Sequence, residues 1–297
     1  MVETTYNLNV PVSIALLTDL HNTPCENILD SLENHQPQII LMAGDFIYGS
    51  YTNKENQLKM EQDTNAMKLL KGCVSIAPTF VSLGNHEYML HPLDFEMIEE
   101  TGAVILDNRF VNITLSSNRS KDPHSTDSDK NNEMTDLKNS NRSGTNQTAD
   151  LCIGGLSSAK VTEYQYWRSA LGSSEKYPDP AQTPAACSWM NSVKASGPQI
   201  GWLRAFEQQS AYKILLCHHP EYYPQYLKQM DIHLICSGHA HGGQWRILNH
   251  GLWAPGQGFL PKYTSGVHDG KLVISRGLSN PSVLPRLWNP PEIVYIE

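Results

Sequence analysis

A chain of 297 residues with 40% hydrophobic and 18% charged side chains has the make-up of a soluble globular protein large enough to bury a substantial core. Its formal net charge of -8 excludes a broad basic face, and so a dedicated DNA or RNA binder, though not a small nucleotide substrate. Residues 1–11 carry no basic cluster, the longest apolar runs are strand-length, and the six cysteines show no CxxC spacing, so a reducing cytoplasmic location is expected. The sequons at Asn112, Asn118, Asn141 and Asn146 then read as polar loop residues.

Taken in chain order, the apolar runs predict strands that each end in polar or turn-forming residues. Ile14–Leu17 leads into Thr18-Asp19-Leu20-His21, and helical spacing follows over Glu26–Asn34. Ile39–Ala43 leads into Gly44-Asp45, a helix is expected over Asn56–Lys71, and Phe80–Leu83 leads into Gly84-Asn85-His86-Glu87. Pro92–Thr101, with Asp94, Glu96, Glu99 and Glu100, reads as a solvated helix. Phe110–Leu115 and Leu151–Leu156 are strand-like and predict a hairpin, with residues 116–150 as a flexible insertion at its tip, too polar to offset the entropy of ordering. Residues 160–200 are structurally open; Tyr164, Tyr166 and Trp167 would cap a site as a lid or fill the core of a short helix. Ile214–Cys217 then leads into His218-His219-Pro220, and Ile232–Cys236 into Ser237-Gly238-His239, before Leu272–Ser275 and Ile293–Ile296 close the chain. Continuous Val/Ile/Leu runs of this length suit strands covered on both faces, and their alternation with helices predicts an α/β layered protein, a single domain over 1–297.

The residues ending these runs form a constellation: Asp19, His21, Asp45, Asn85, His86, His218, His239 and His241. Oxygen and imidazole donors without a thiolate suit Mn, Fe, Zn, Ni or Co. In open α/β sheets ligands gather beyond the carboxyl ends of strands, where five runs deliver these groups. Singly, Asp19 and Asp45 read first as turn residues, and His218 with His219 as loop imidazoles. Gly238-His239-Ala240-His241-Gly242-Gly243-Gln244 is more specific, a spaced imidazole pair flanked by glycines that permit close approach. His219, Trp245, Tyr263 and Arg276 are possible cleft-lining residues, while His250 and His268 lack partners at ligand spacing.

The ordered set D-x-H, G-D, G-N-H-[DE], H and G-H-x-H resembles the calcineurin-like metallophosphoesterases. The ending GHAHGGQ, with Gly256–Tyr263, Ser275-Arg276-Gly277, Arg286 and Pro291-Glu292-Ile293, is similar to a bacterial phosphodiesterase branch. The resemblance covers residues 12–111, 151–158 and 212–297. It implies a four-layer αββα sandwich of two mixed sheets flanked by helices, and a binuclear centre with a bridging hydroxide that hydrolyses phosphodiester or pyrophosphate bonds. It further implies one metal held by Asp19, His21 and His241 and another by Asn85, His218 and His239, with Asp45 bridging, Mn favoured, and His86 catalytic. Glu87 would either orient His86 through a hydrogen bond or stand as a solvated carboxylate. The partner expected is a small phosphoester or nucleotide-linked substrate, not a stable nucleic acid; no amphipathic basic helix supports peripheral membrane contact through 160–200. Phosphomonoester or nucleotide hydrolysis is the alternative within the same chemistry. A metal-bearing scaffold with little turnover is the alternative outside it, disfavoured because no ligand position is missing.

Overall fold

Ile14, Ala15, Leu16 and Leu17 are all buried, yet neighbours along this strand serve different cores: Ile14 and Leu16 pack into one cluster, Ala15 and Leu17 into another. Side chains alternate across a strand, so both faces of the sheet are covered. The computed structural model describes residues 1–48, 58–90, 92–116, 148–159, 197–248, 250–280 and 285–297. Most of the expected insertion (117–147) and the open region 160–196, including Tyr164, Tyr166, Trp167 and Cys187, lie outside the described residues.

In chain order the strands and helices of the first half are β1 (Val2–Tyr6), β2 (Ile14–Leu17), α1 (Glu26–His35), β3 (Ile39–Ala43), α2 (Lys59–Gln62), α3 (Thr64–Ile76), β4 (Thr79–Ser82), α4 (Pro92–Glu99) and β5 (Val104–Ile105). Then follow β6 (Arg109–Ser116), β7 (Thr148–Leu156), α5 (Leu203–Glu207), β8 (Tyr212–Cys217) and β9 (Leu234–Ser237). Two short hairpins, β10–β11 (Arg246–Ile247, His250–Gly251) and β12–β13 (Trp253–Ala254, Gly258–Phe259), precede β14 (Gly266–His268), β15 (Leu272–Ile274) and β16 (Glu292–Ile296).

One six-stranded sheet runs β1-β16-β2-β3-β4-β5 and the other β14-β15-β9-β8-β7-β6. Each is mixed: β2, β3, β4 and β5 are parallel with β16 antiparallel to β2, and β15, β9, β8 and β7 are parallel with β14 and β6 antiparallel at the edges. Between the sheets lies an apolar layer in which Ile14, Leu16, Ile39 and Leu41 meet Ile153, Ile214, Leu216 and Val273. The outer face of the first sheet is covered by Ile28 and Leu32 of α1 and Leu69, Leu70 and Cys73 of α3. The outer face of the second is covered by Leu203 and Phe206 of α5 and by Tyr223 and Leu227 of a π turn over Tyr223–Leu227. This is the αββα sandwich. Removing one inter-sheet side chain, as in Leu216→Ala, is expected to cost about 2–5 kcal/mol.

Two expectations need correction. The helix expected over Asn56–Lys71 is two helices within the described residues, broken at Asp63, whose carboxylate turns away to accept the Tyr48 N–H at 2.9 Å and to pair with Lys59 at 3.3 Å. The chain also forms an unforeseen first strand, β1, which adds to β16 at the sheet edge in parallel register.

Candidate metal centre

The parallel strands all point their carboxyl ends to one rim. Asp19 and His21 follow β2, Asp45 follows β3, and Asn85 and His86 follow β4; from the facing sheet, His218 follows β8, and His239 and His241 follow β9. Five of these residues hold left-handed backbone: Asp19 (φ 54°), His21 (47°), Asp45 (55°), His239 (62°) and His241 (46°). That state is costly for residues with a side chain, and here it reverses the chain while leaving the side chains over the rim. Backbone bonds hold it in place. Asp19 N–H donates to Gly44 O and His21 N–H to Asp45 O, both at 3.1 Å, while the Asp19 carboxylate accepts the His239 N–H at 3.1 and 3.2 Å. Two glycines are required by space: a Cβ on Gly84 would stand 2.3 Å from Asp45 Oδ1, and one on Gly238 would stand 2.5 Å from Asp19 Oδ2.

Ligating atoms of Asp19, His21 and His241 lie within 4.8 Å of one another, and so do those of Asp45, His218 and His239. An overlapping set of His21, Asp45 and His86 joins the two, so the Asp45 carboxylate has imidazoles on either side. His241 Nε2 stands 3.6 Å and His21 Nε2 3.9 Å from Asp19 Oδ1, while His218 Nε2 stands 3.0 Å from Asp45 Oδ2. Asn85 Oδ1, both ring nitrogens of His21, and His218 Nε2 are buried without a hydrogen-bond partner. Buried polar atoms are almost always satisfied, so this concentration of unpartnered oxygen and imidazole nitrogen atoms fits a cation-binding role.

Protonation agrees with that fit. Burial drives protons off His21 and His241, whose pKa values fall to about 3, and holds His239 well below the usual imidazole range. These rings are neutral donors, the form that binds metal. Burial disfavours the Asp45 carboxylate, yet the imidazoles of His218 and His86 outweigh it and hold the group ionised. At His218, burial again opposes the charged form, but Asp45, Asp19 and the Ala43 carbonyl lift the pKa to about 10. His218 Nδ1 lies 2.7 Å from that carbonyl, which can only accept, so Nδ1 carries a proton and Nε2 faces the carboxylates. A positive charge is favoured at that point, whether proton or metal ion.

Around the ligands lie groups that fix them. Glu87 does not orient His86: its carboxylate accepts the N–H groups of Gly84 (2.7 Å), Asp45 (2.8 Å), Phe46 (3.0 Å) and Ile47 (3.4 Å). Burial and the Asp45 charge push its pKa up to about 8, and the N–H donors pull against them. His219 uses both nitrogens, on Glu221 Oε1 at 3.0 Å and Ser158 Oγ at 2.8 Å, and its ring packs 4.2 Å from His239. Glu221 also approaches His239 Nε2 at 3.7 Å. Arg286 Nη2 lies 3.1 Å from His241 Nδ1; a guanidinium only donates, so metal uptake at His241 Nε2 requires the ring proton to move to Nδ1 and Arg286 to give way. Of the residues considered for a pocket lining, Tyr263 is buried against Tyr223, Arg276 pairs with Glu292 at 2.9 Å, and Trp245 is exposed with its Nε1–H donating to Pro285 O. His268 bonds the Ser265 carbonyl and His250 is exposed. Glu221 and Ser158 were missed in sequence; the only signal was an acid three residues after His218.

The profile of a family described as calcineurin-like phosphoesterase matches residues 12–243. An uncharacterized protein of Bacillus subtilis, YpbG, is 36% identical over 84 residues, a match that spans 28% of this chain and only 30% of that protein. Among solved structures, the calcineurin-like phosphoesterase YfkN from Bacillus subtilis is similar at 15% identity with a TM-score of 0.46, covering 90% of this chain and 81% of that one. A dimetal phosphatase from Danio rerio is similar at 11% identity with a TM-score of 0.44, covering 91% and 89%. With the profile match spanning most of its length, the chain belongs to the calcineurin-like phosphoesterases, a family of metal-dependent phosphate-ester hydrolases.

Proposed function

We propose that the protein hydrolyses phosphodiester or pyrophosphate bonds at a binuclear centre. Asp19, His21 and His241 would hold one divalent ion and Asn85, His218 and His239 the other, with Asp45 shared between them; Mn is the favoured metal. The observation carrying this reading is the ionised Asp45 carboxylate flanked by two donor groups, among which both His21 nitrogens, His218 Nε2 and the nearby Asn85 Oδ1 are buried without a hydrogen-bond partner. When bound, such a pair of cations supplies Lewis-acid clamping of phosphoryl oxygens and an acidified water as nucleophile.

The chain's own residues do the rest. Glu87 fixes the two loops that carry Asp45 and Asn85, and His219 with Glu221 backs His239. His86 is the partly open imidazole of the cluster, its side chain 27% exposed with Nε2 3.8 Å from Asp45 Oδ2. It is the group able to hand a proton to the departing oxygen as water adds to phosphorus and the phosphorus–oxygen bond breaks. The ending GHAHGGQ supports assignment to the bacterial phosphodiesterase branch.

The test is release of nitrophenol from bis(p-nitrophenyl) phosphate by Mn-loaded protein, wild type against His86→Ala. A loss of about 10²–10⁴-fold in kcat, with metal content retained, is expected for removal of a general acid. Absence of metal-dependent turnover by wild type on diesters, pyrophosphates and monoesters alike would favour the scaffold.

A further inference from the structure

Large apolar side chains rarely cluster on a soluble surface, yet eight of the twelve exposed ones among the described residues fall within 245–260 and 287–288. Leu248, Phe259, Trp288 and Leu260 are between 77% and 89% exposed. Three of these, Leu248, Leu260 and Trp288, take left-handed backbone with φ of 49°, 49° and 51°, an unfavourable state for bulky residues.

The patch is continuous. Arg246 N–H donates to Leu287 O and Leu287 N–H to Gln244 O, so the strand-like segment at 287 runs beside β10. Leu252 N–H donates to Trp245 O, and Leu260 N–H to Leu252 O, which joins the two hairpins; Trp253 faces Phe259 across the second. The surface packs on the metal-bearing turn: a Cβ on Gly243 would come within 2.3 Å of Gly251 Cα, and Arg246 Nη1 donates to Gly242 O.

Its charge opposes that of the whole chain. Residues 239–268 and 285–291 contain no Asp or Glu, in a protein of net charge -8, and exposed Lys262 lies among the apolar residues. Arg246 is half-buried and turned onto Gly242 O, and the bordering acids Asp269 and Glu292 pair with Lys228 and Arg276. Glu221, whose carboxylate approaches Gly256, is committed to His219. Trp, Leu and Phe exposed on and beside the two hairpins, with an exposed lysine and no acid among them, match a lipid interface better than a protein partner, because tryptophan favours the headgroup boundary and anionic lipid attracts the lysine. We propose that these hairpins dock the protein on an anionic bilayer surface, their exposed apolar side chains entering the interfacial layer and setting the metal-bearing rim beside it.

The test uses the full chain in flotation with vesicles of phosphatidylcholine alone or mixed with phosphatidylglycerol, comparing wild type, Phe259→Ser/Leu260→Ser, Leu248→Ser and Lys262→Glu. Wild type is expected to partition onto the mixed vesicles, and the double variant to lose about tenfold or more, with its circular dichroism and its turnover of bis(p-nitrophenyl) phosphate unchanged. Lys262→Glu is expected to weaken binding to the mixed vesicles only. Equal partitioning of wild type and the double variant, or no binding of wild type to either vesicle, overturns the proposal. So does a dimer in light scattering that the same substitutions disperse, since the patch would then join two copies of the chain. Flotation needs no turnover, so its failure leaves the phosphoesterase reading standing, and a failed diester assay leaves the docking surface standing.

Discussion

Glu87→Gln separates the scaffold of the site from its chemistry. The side chain is 1% exposed, and its two oxygens accept four backbone N–H groups: Gly84 and Asp45 on Oε2, Phe46 and Ile47 on Oε1. Glutamine keeps one oxygen, which will stay with the shorter pair at 2.7 and 2.8 Å. Its amide nitrogen then faces the Phe46 and Ile47 N–H groups, donor against donor. One sound bond at 3.0 Å and a marginal one at 3.4 Å are lost, and a buried amide is left unpaired. Loss of a bond and an unsatisfied buried group together cost about 2–4 kcal/mol, a sizeable share of the roughly 5–15 kcal/mol that keeps a domain folded. Guanidinium unfolding of the metal-free protein, followed by far-UV circular dichroism at a pH above the Glu87 pKa of about 8 so that both oxygens accept, measures it. A loss below about 1 kcal/mol with unchanged denaturant dependence would refute the clamp, because four buried N–H groups cannot lose their acceptor charge so cheaply.

Other outcomes follow from the same geometry. Asp45→Ala is expected to empty or scramble both metal positions, read by metal analysis after dialysis; an unchanged two-metal stoichiometry would contradict its shared role. Chelation should leave the far-UV spectrum intact, since the ligands are held by backbone bonds, while added Mn at a hundredfold excess over its Kd should stabilise by about 2.7 kcal/mol; a spectrum that collapses in chelator would show that the ions build the site. Burial pushes the thiols of Cys73, Cys217 and Cys236 above the usual range and Cys152 to about 11. In a Cys187→Ser background, Ellman's reagent should therefore react near pH 8 only on unfolding, and a fast native phase would exclude this packing.

The central strands were legible because their cause is local. Ile14–Leu17 and Ile39–Ala43 are apolar at every position since each face meets a core, and the structure gives them those same bounds. The rim residues were legible because a buried strand that ends in Asp, Asn or His leaves a polar group with nothing apolar to pack on. What escaped depends on partners distant in sequence. Val2–Tyr6 alternates half-buried and exposed residues and becomes a strand only by adding to β16. The hairpins at 246–259 have two-residue strands, too short to show a period. Glu87 was assigned the neighbour in sequence, His86, whereas its partners are backbone N–H groups, which no side-chain pattern reveals.

The left-handed residues explain why this rim holds its shape. Each of Asp19, His21, Asp45, His239 and His241 sits in a backbone state that costs roughly 1–2 kcal/mol. Strain of that size persists only where neighbouring contacts over-determine the geometry. Here they do: Asp19 is tied through its N–H to Gly44, through its carboxylate to the His239 N–H, and through its carbonyl to Ser279 Oγ at 2.8 Å. Asp45 is tied through Oδ1 to the His86 N–H at 2.8 Å and through its own N–H to Glu87. Asp45 gives Oδ1 to a backbone donor and turns Oδ2 to His86 and His218, whereas Asp19 shares the His239 N–H between both oxygens and faces His21, His218 and His241 with Oδ1. The loops of the two sheets are thus locked to each other by the same carboxylates that address the ions, so a substitution that loosens one loop is felt at ligands carried by the opposite sheet.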